Sequence, residues 1–219
     1  MPLKAVLFDM DGVIVDTEPL HKKAYFKTFE DLNIEVSDAL YSSFTGNSTK
    51  KVCELLIQKF SLSQSVEEIS EIKRKYFKYL FDHDSDFQLL PGVYSLFENY
   101  RAHGITMVLA SSATMNTINW VFERFNIGHF FKAKVSGAEL KESKPHPEVF
   151  NLAAELSGAS KSECMVIEDS TNGILAAHRA NIFCAAYRSE NSKNQNYDLA
   201  NIVVSTFDDL KAERIQAYF

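Results

Sequence analysis

Asp9 and Asp11 stand one residue apart, directly after the unbroken apolar run Ala5-Val6-Leu7-Phe8 and just before Gly12. A run of this kind has the signature of a strand buried on both faces. In an extended segment residues i and i+2 point the same way, so both carboxylates can reach one point. Two anions converging at a dry strand end repel each other, which is costly unless a cation or a shared proton compensates. The chemistry this permits is a divalent metal beside a carboxylate that attacks a substrate or exchanges protons. Asp and Gly after a strand are also ordinary turn residues, and these positions alone leave a plain turn open as the alternative.

The elements that must position such a pair are legible along the chain. After the first strand, residues 19–32 read as a helix, with Leu20, Ala24, Phe29 and Leu32 near helical spacing, Thr17 as N-cap and Pro19 in the first turn. A loop around Gly46 follows, then helices near 49–60 and 66–81. In the second of these Val66, Ile69, Ile72, Tyr76 and Leu80 keep to one face, while Lys73, Arg74, Lys75 and Lys78 fall mostly elsewhere. Residues 18–84 contain no convincing strand and read as a helical insert. Beyond Asp86 strands and helices alternate. Leu90-Pro91-Gly92 opens a helix to His103, and a strand covers 105–110. A helix over 115–125, a short strand at Lys134-Val135 and a helix over about 146–156 come next. The strand Cys164-Met165-Val166-Ile167, a helix to about Arg179, and strands at 184–187 and 202–204 complete the series; Ser189 to Asn196 is a polar loop. This alternation predicts an α/β fold with a parallel sheet covered on both faces.

In an open parallel sheet, ligands bind outside the carboxyl ends of the strands. Past the four main apolar runs stand Asp9 and Asp11, then Ser111 and Ser112, then Ser143-Lys144-Pro145, then Glu168, Asp169 and Ser170. Asp9, Asp11 and Asp169 offer hard oxygen ligands that suit Mg²⁺, with water filling the remaining octahedral positions. Ser111 and Ser112, placed at the start of a helix, offer hydroxyls and backbone N–H groups to phosphate oxygens. Lys144 adds a point charge where a transferring phosphoryl group gathers negative charge. Taken singly, the serines read equally as a helix cap, Lys144 as a solvated lysine and Glu168-Asp169 as a loop.

The 219 residues allow one large domain or a main domain carrying a smaller insert, and 46% hydrophobic content with 17 Phe and 9 Tyr supports an aromatic-rich core. A net charge of −6 argues against a nucleic-acid partner. Cys53, Cys164 and Cys184 are odd in number and lack CxxC spacing, which fits a reducing cytosol better than a disulfide framework or a zinc site. Met1-Pro2-Leu3-Lys4 runs straight into the first strand, and no apolar stretch approaches the ~20 residues that span a bilayer. A cytoplasmic protein with no membrane partner is therefore expected.

With these motifs in view, the chain resembles the haloacid-dehalogenase superfamily of phosphotransferases, in the subgroup of β-phosphoglucomutase and sugar-phosphate phosphatases. The residues that carry the resemblance are Phe8-Asp9-Met10-Asp11-Gly12, Leu109-Ala110-Ser111-Ser112, Ser143-Lys144-Pro145 and Ile167-Glu168-Asp169-Ser170, with Asn172-Gly173-Ile174 after them. The resemblance implies a Rossmann-like core at residues 1–16 and 87–219, with a four-helix cap domain inserted at 17–86. It implies Asp9 as a nucleophile forming an aspartyl-phosphate and Asp11 as the acid and base; the side chains of Asp9 and Asp169, the backbone carbonyl of Asp11 and, directly or through an outer shell, Glu168 would hold Mg²⁺. The partner it implies is a small phosphorylated metabolite, with the enzyme expected to act as a monomer.

Phosphatase and mutase share this apparatus. The β-phosphoglucomutase pattern places an arginine after a Gly-x-Ser sequence to grip a second phosphate; here Gly46-Asn47-Ser48 is followed by Thr49. A hydroxyl lacks the bidentate, permanently charged grip of a guanidinium, and Lys50 and Lys51 project about 100° and 200° away from Thr49 on a helix. His21, in Asp16-Thr17-Glu18-Pro19-Leu20-His21, matches a histidine that such mutases use near substrate, and reads equally as a surface residue. The missing guanidinium favours an Mg²⁺-dependent phosphatase acting on a sugar phosphate. A phosphosugar mutase is the alternative, and a non-catalytic phospholigand-binding protein is disfavoured because Asp9, Asp11, Lys144 and Asp169 are all present.

Overall fold

The computed structural model describes residues 2–44, 49–189 and 194–219. The chain divides into two compact units, residues 1–16 with 88–219 and residues 17–87. The first unit is built on β1 (Ala5–Phe8), β2 (Thr106–Ser111), β3 (Phe131–Ser136), β4 (Cys164–Glu168), β5 (Phe183–Tyr187) and β6 (Ile202–Val204). They form one sheet in the order β3-β2-β1-β4-β5-β6 with every pair parallel, the doubly wound Rossmann-like arrangement. The order reverses between β1 and β4, so the crevice at their carboxyl ends is where this topology places a ligand.

All four residues of β1 are fully buried, as a strand covered on both faces must be. On one face Ala5 and Leu7 join Val108, Val166, Phe150 and Ile174 in a core that includes α7 (Glu148–Ser157) and α8 (Thr171–Ala180). On the other, the Phe8 ring meets Phe97, Tyr100 and Phe131 edge-on, which draws α5 (Val93–Ala102) against the sheet. An aromatic cluster thus covers one side of the central strand.

The second unit holds α1 (Glu18–Asp31), α2 (Asp38–Ser42), α3 (Thr49–Phe60) and α4 (Val66–His83), with no strand among its described residues. Its core gathers Tyr25, Phe29, Tyr41, Phe44, Val52 and Leu56. Three local expectations are corrected here. Thr17 lies in the helical region and makes no side-chain cap bond; Pro19 within the first turn starts α1 instead. The short α2 has too few residues for a periodic signal and is marked only by Ser37, whose hydroxyl accepts from the Leu40 N–H at 3.2 Å. In α4 the fully buried line is Ile69, Lys73, Phe77 and Phe81, while Val66, Ile72, Tyr76 and Leu80 are half-buried. Lysine was assigned outward by its charge, but its methylene stem packs as an apolar residue does.

In the first unit, α6 (Met115–Phe125) covers the predicted residues, with Ser111 and Ser112 ahead of its start and not at its cap. Its cap is Thr114, which accepts from the Thr117 N–H at 3.4 Å. The Gly46-Asn47-Ser48 stretch and residues 190–193 of the polar loop lie outside the described residues.

Candidate active site

β1 pairs in register with β4, Phe8 opposite Ile167, so the residues that follow, Asp9 and Glu168, emerge level with each other. The Asp9 N–H donates to the Ile167 carbonyl at 3.0 Å and holds that register one residue past the strand. Lys144 closes the gap. Its ammonium donates to Asp9 Oδ1 at 2.5 Å, to Glu168 Oε1 at 2.8 Å and to the Ala110 carbonyl at the end of β2 at 2.9 Å. Three N–H groups meet three acceptors from three adjacent strands, over the face of Phe150 with 4.8 Å to the ring centroid.

The other oxygen of Glu168 is equally occupied. Oε2 accepts from the backbone N–H of Asp169 and Ser170, each at 2.8 Å, and from the Ser170 hydroxyl at 2.9 Å. A Cβ on Gly173 would collide with this carboxylate, so the glycine makes the room in which Glu168 lies. Service as a direct metal ligand would require Glu168 to give up bonds it already makes; its geometry here is that of an anchor for Lys144.

Asp9 is 7% exposed and Glu168 1%. Burial holds the Asp9 carboxyl well above the usual carboxylate range; Lys144 pulls the other way, while Glu168 and Asp169 push further up. Burial alone would lower Lys144, but Asp9 and Glu168 outweigh it and keep the ammonium charged. One buried ammonium thus stands between two buried carboxyl groups with Asp169 near, and a further cation would favour the ionised form of Asp9. Among the described residues no three His, Cys, Asp or Glu side chains are gathered to hold a metal by themselves. That fits Mg²⁺, which commonly takes one or two protein carboxylates and fills its octahedron with water and substrate phosphate oxygens. Asp9 and Asp169 are the side chains suited to that role.

Asp169 lies against Gly12, whose φ of +80° suits only glycine and where an added Cβ would overlap the carboxylate. Asp11 is half-buried in a tight turn in which the Met10 carbonyl accepts from the N–H of Val13, Ile14 and Val15. β1 stops at Phe8; Asp9 follows it directly, still bonded to Ile167, and Asp11 falls within this turn. Ser111, 2% exposed, ends β2 and accepts from the Ala113 N–H at 3.1 Å; Ser112 is exposed.

The second unit has a polar cluster of its own. His21 Nδ1 lies 2.6 Å from Lys73 Nζ, and the imidazole stacks on Phe77 with 4.4 Å between centroids. The surface-residue alternative for His21 thus gives way to a packed position. Burial, then the neighbouring ammonium, lowers the His21 pKa to about 3. Burial likewise lowers Lys73 to about 8, with Glu18 opposing. Thr49 opens α3 half-buried and its side chain hydrogen-bonds Tyr25. Lys73 is the residue that sequence reasoning missed; its only signal was its i+4 spacing from Ile69 and to Phe77.

The chain is similar to proteins already known. The profile of the haloacid dehalogenase-like hydrolase family matches residues 6–187. A "Phosphorylated carbohydrates phosphatase" of Thermotoga maritima is 29% identical over 184 residues, 82% of each chain. "Hexitol phosphatase B" of Escherichia coli O157:H7 is 26% identical over 229 residues, covering 95% of each. A solved Thermotoga maritima structure, provisionally assigned as a β-phosphoglucomutase, superposes with a TM-score of 0.83 at 27% identity over 98% of this chain and 97% of that one. With the family profile covering residues 6–187 and phosphatases among its relatives, the chain belongs to the haloacid dehalogenase-like hydrolase family and is an enzyme of its phosphatase and phosphosugar-mutase kind.

Proposed function

We propose that the protein is an Mg²⁺-dependent phosphatase that hydrolyses a small phosphorylated metabolite, a sugar phosphate, through an aspartyl-phosphate on Asp9, acting as a monomer in the cytoplasm. The observation that carries this reading is the Lys144 ammonium shared between Asp9 and Glu168 at the switch point of the sheet. An Asp9 oxygen attacks phosphorus, the bond from phosphorus to the ester oxygen breaks, and Asp11 gives the departing oxygen a proton. Asp11 then takes a proton from water, whose oxygen attacks phosphorus and frees the Asp9 carboxylate. Lys144 offsets charge on the phosphoryl oxygens, and Ser111 and Ser112 offer them hydroxyl and backbone donors. Asp9, Asp169 and the Asp11 carbonyl would hold Mg²⁺, which when bound neutralises and orients the phosphate. His21 and Thr49 are assigned to the non-reacting end of the metabolite.

The mutase reading keeps one specific support: Lys73 is a buried cation in the helical unit and could answer for the arginine replaced by Thr49. The two readings separate in one experiment. Given β-glucose 1-phosphate, glucose 1,6-bisphosphate and Mg²⁺, the wild type should release more inorganic phosphate than it forms glucose 6-phosphate. Asp9→Asn should do neither, because an amide is not an adequate nucleophile. A product ratio well above one in favour of glucose 6-phosphate would move the assignment to a mutase; turnover by Asp9→Asn would remove the aspartyl-phosphate.

A further inference from the structure

The turn that carries Glu168 and Asp169 is fastened from a distant part of the chain. Gln195 Oε1 accepts from the Thr171 N–H at 2.8 Å and from the Thr171 hydroxyl at 2.9 Å. The same hydroxyl oxygen accepts from the Asn196 N–H at 2.8 Å. Thr171 is the first residue of α8, whose early N–H groups have no partner within the helix. Each of the preceding donors is committed to Glu168: the Asp169 and Ser170 N–H groups and the Ser170 hydroxyl. A continuous path therefore runs from Gln195 through Thr171 and Ser170 to Glu168, and from Glu168 Oε1 to Lys144.

Capping alone does not account for Gln195. Ser170 already caps α8 locally, its Oγ accepting from the Gly173 N–H at 3.1 Å. Nor can Glu168 absorb a shift of the turn, because it lies where a Gly173 Cβ would be. Movement of the 169–171 backbone thus passes to the carboxylate that aims Lys144. We propose that Gln195 is a positioning residue for catalysis: it fixes the Asp169–Ser170–Thr171 turn so that Glu168 holds the Lys144 ammonium in its working place. This rests on the catalytic role given to Lys144 above.

Gln195→Met keeps length and bulk but removes the acceptor; Gln195→Glu keeps an acceptor at a helix N-terminus, where negative charge is favourable. With p-nitrophenyl phosphate at saturating Mg²⁺, Gln195→Met should lower kcat about 3- to 10-fold, the scale of one or two neutral hydrogen bonds, with KM unchanged. Its Tm should stay within about 2–4 °C of the wild type, and Gln195→Glu should recover kcat. In the same variants, amide exchange at Ser170 and Thr171 should quicken for Met and not for Glu. Wild-type kcat in Gln195→Met, an equal loss in Gln195→Glu, or unchanged exchange at the turn would overturn the proposal. A wild type that releases no phosphate would defeat the phosphatase reading instead, and the exchange measurement would still decide whether Gln195 holds the turn.

Discussion

Each unit packs a lysine side chain away from solvent, and the two lysines behave in opposite ways. Lys144 meets Asp9, Glu168 and a backbone carbonyl, and burial's pull on its pKa is more than repaid by the carboxylates. Lys73 meets the His21 imidazole and the ring faces of Tyr25 and Phe77, with centroids at 5.1 and 4.8 Å. Ring faces offset only part of what water supplied, and its pKa falls to about 8. Burial alone does not decide the state of an amine; the charges that accompany it weigh as much. The first lysine is a committed charge and the second is close to losing its proton at ordinary pH.

The largest expected effect is at Lys144. Lys144→Met leaves two buried carboxylates facing each other, which should cost about 3–5 kcal/mol in urea unfolding. Phosphate release should fall about 10²–10³-fold with the loss of the positive charge that offsets the phosphoryl oxygens. Should Lys144→Met prove as mild as the same change at Lys73, the contrast between the two sites would collapse.

Next comes acid. His21 titrates at about 3 in the folded protein against about 6.5 unfolded. The unfolded chain therefore binds the extra proton across that window, and stability falls as pH drops from 6.5 towards 3. Between pH 6.5 and 5 the loss should be about 2 kcal/mol, and His21→Gln should abolish that slope. Equal pH slopes for wild type and His21→Gln would mean that the histidine is not held neutral. The mildest effect is expected for Lys73→Met, which keeps the packed stem and removes a poorly compensated charge. Unfolding stability at pH 7 should be unchanged or rise by about 1 kcal/mol, and the gain should shrink above pH 8, where the wild-type amine sheds its proton while the unfolded lysine does not.

The core site was legible in the sequence because its signals are local. An apolar run followed by acids or hydroxyls marks the carboxyl end of a strand, and Asp9, Ser111 and Glu168 carry that mark, while Lys144 comes in on the loop after β3. The parallel order followed from alternation of elements. What stayed hidden depends on partners far along the chain. Lys73 reads as a solvent-facing lysine until Ile69 and Phe77 are seen to flank it on the buried line of α4. Gln195 reads as one more polar loop residue until it meets Thr171. Glu168 reads equally as a direct or an outer-shell partner of a metal, and the sequence holds no sign of the four donors it meets in place.

The inserted unit begins and ends at a pair of segments that belong to the sheet-bearing unit. Val15 bridges Leu89 in antiparallel fashion, and the Leu90 N–H donates to the Ile14 carbonyl at 2.9 Å. Seen from the sheet, residues 17–87 are one long excursion whose two ends are clasped side by side. Closing such an excursion costs little more as it lengthens, about 0.6 kcal/mol for each doubling. The sheet-bearing part of the chain is accordingly almost indifferent to the length of what it carries there, and the insert can grow or shrink at little cost to the fold that clasps its ends.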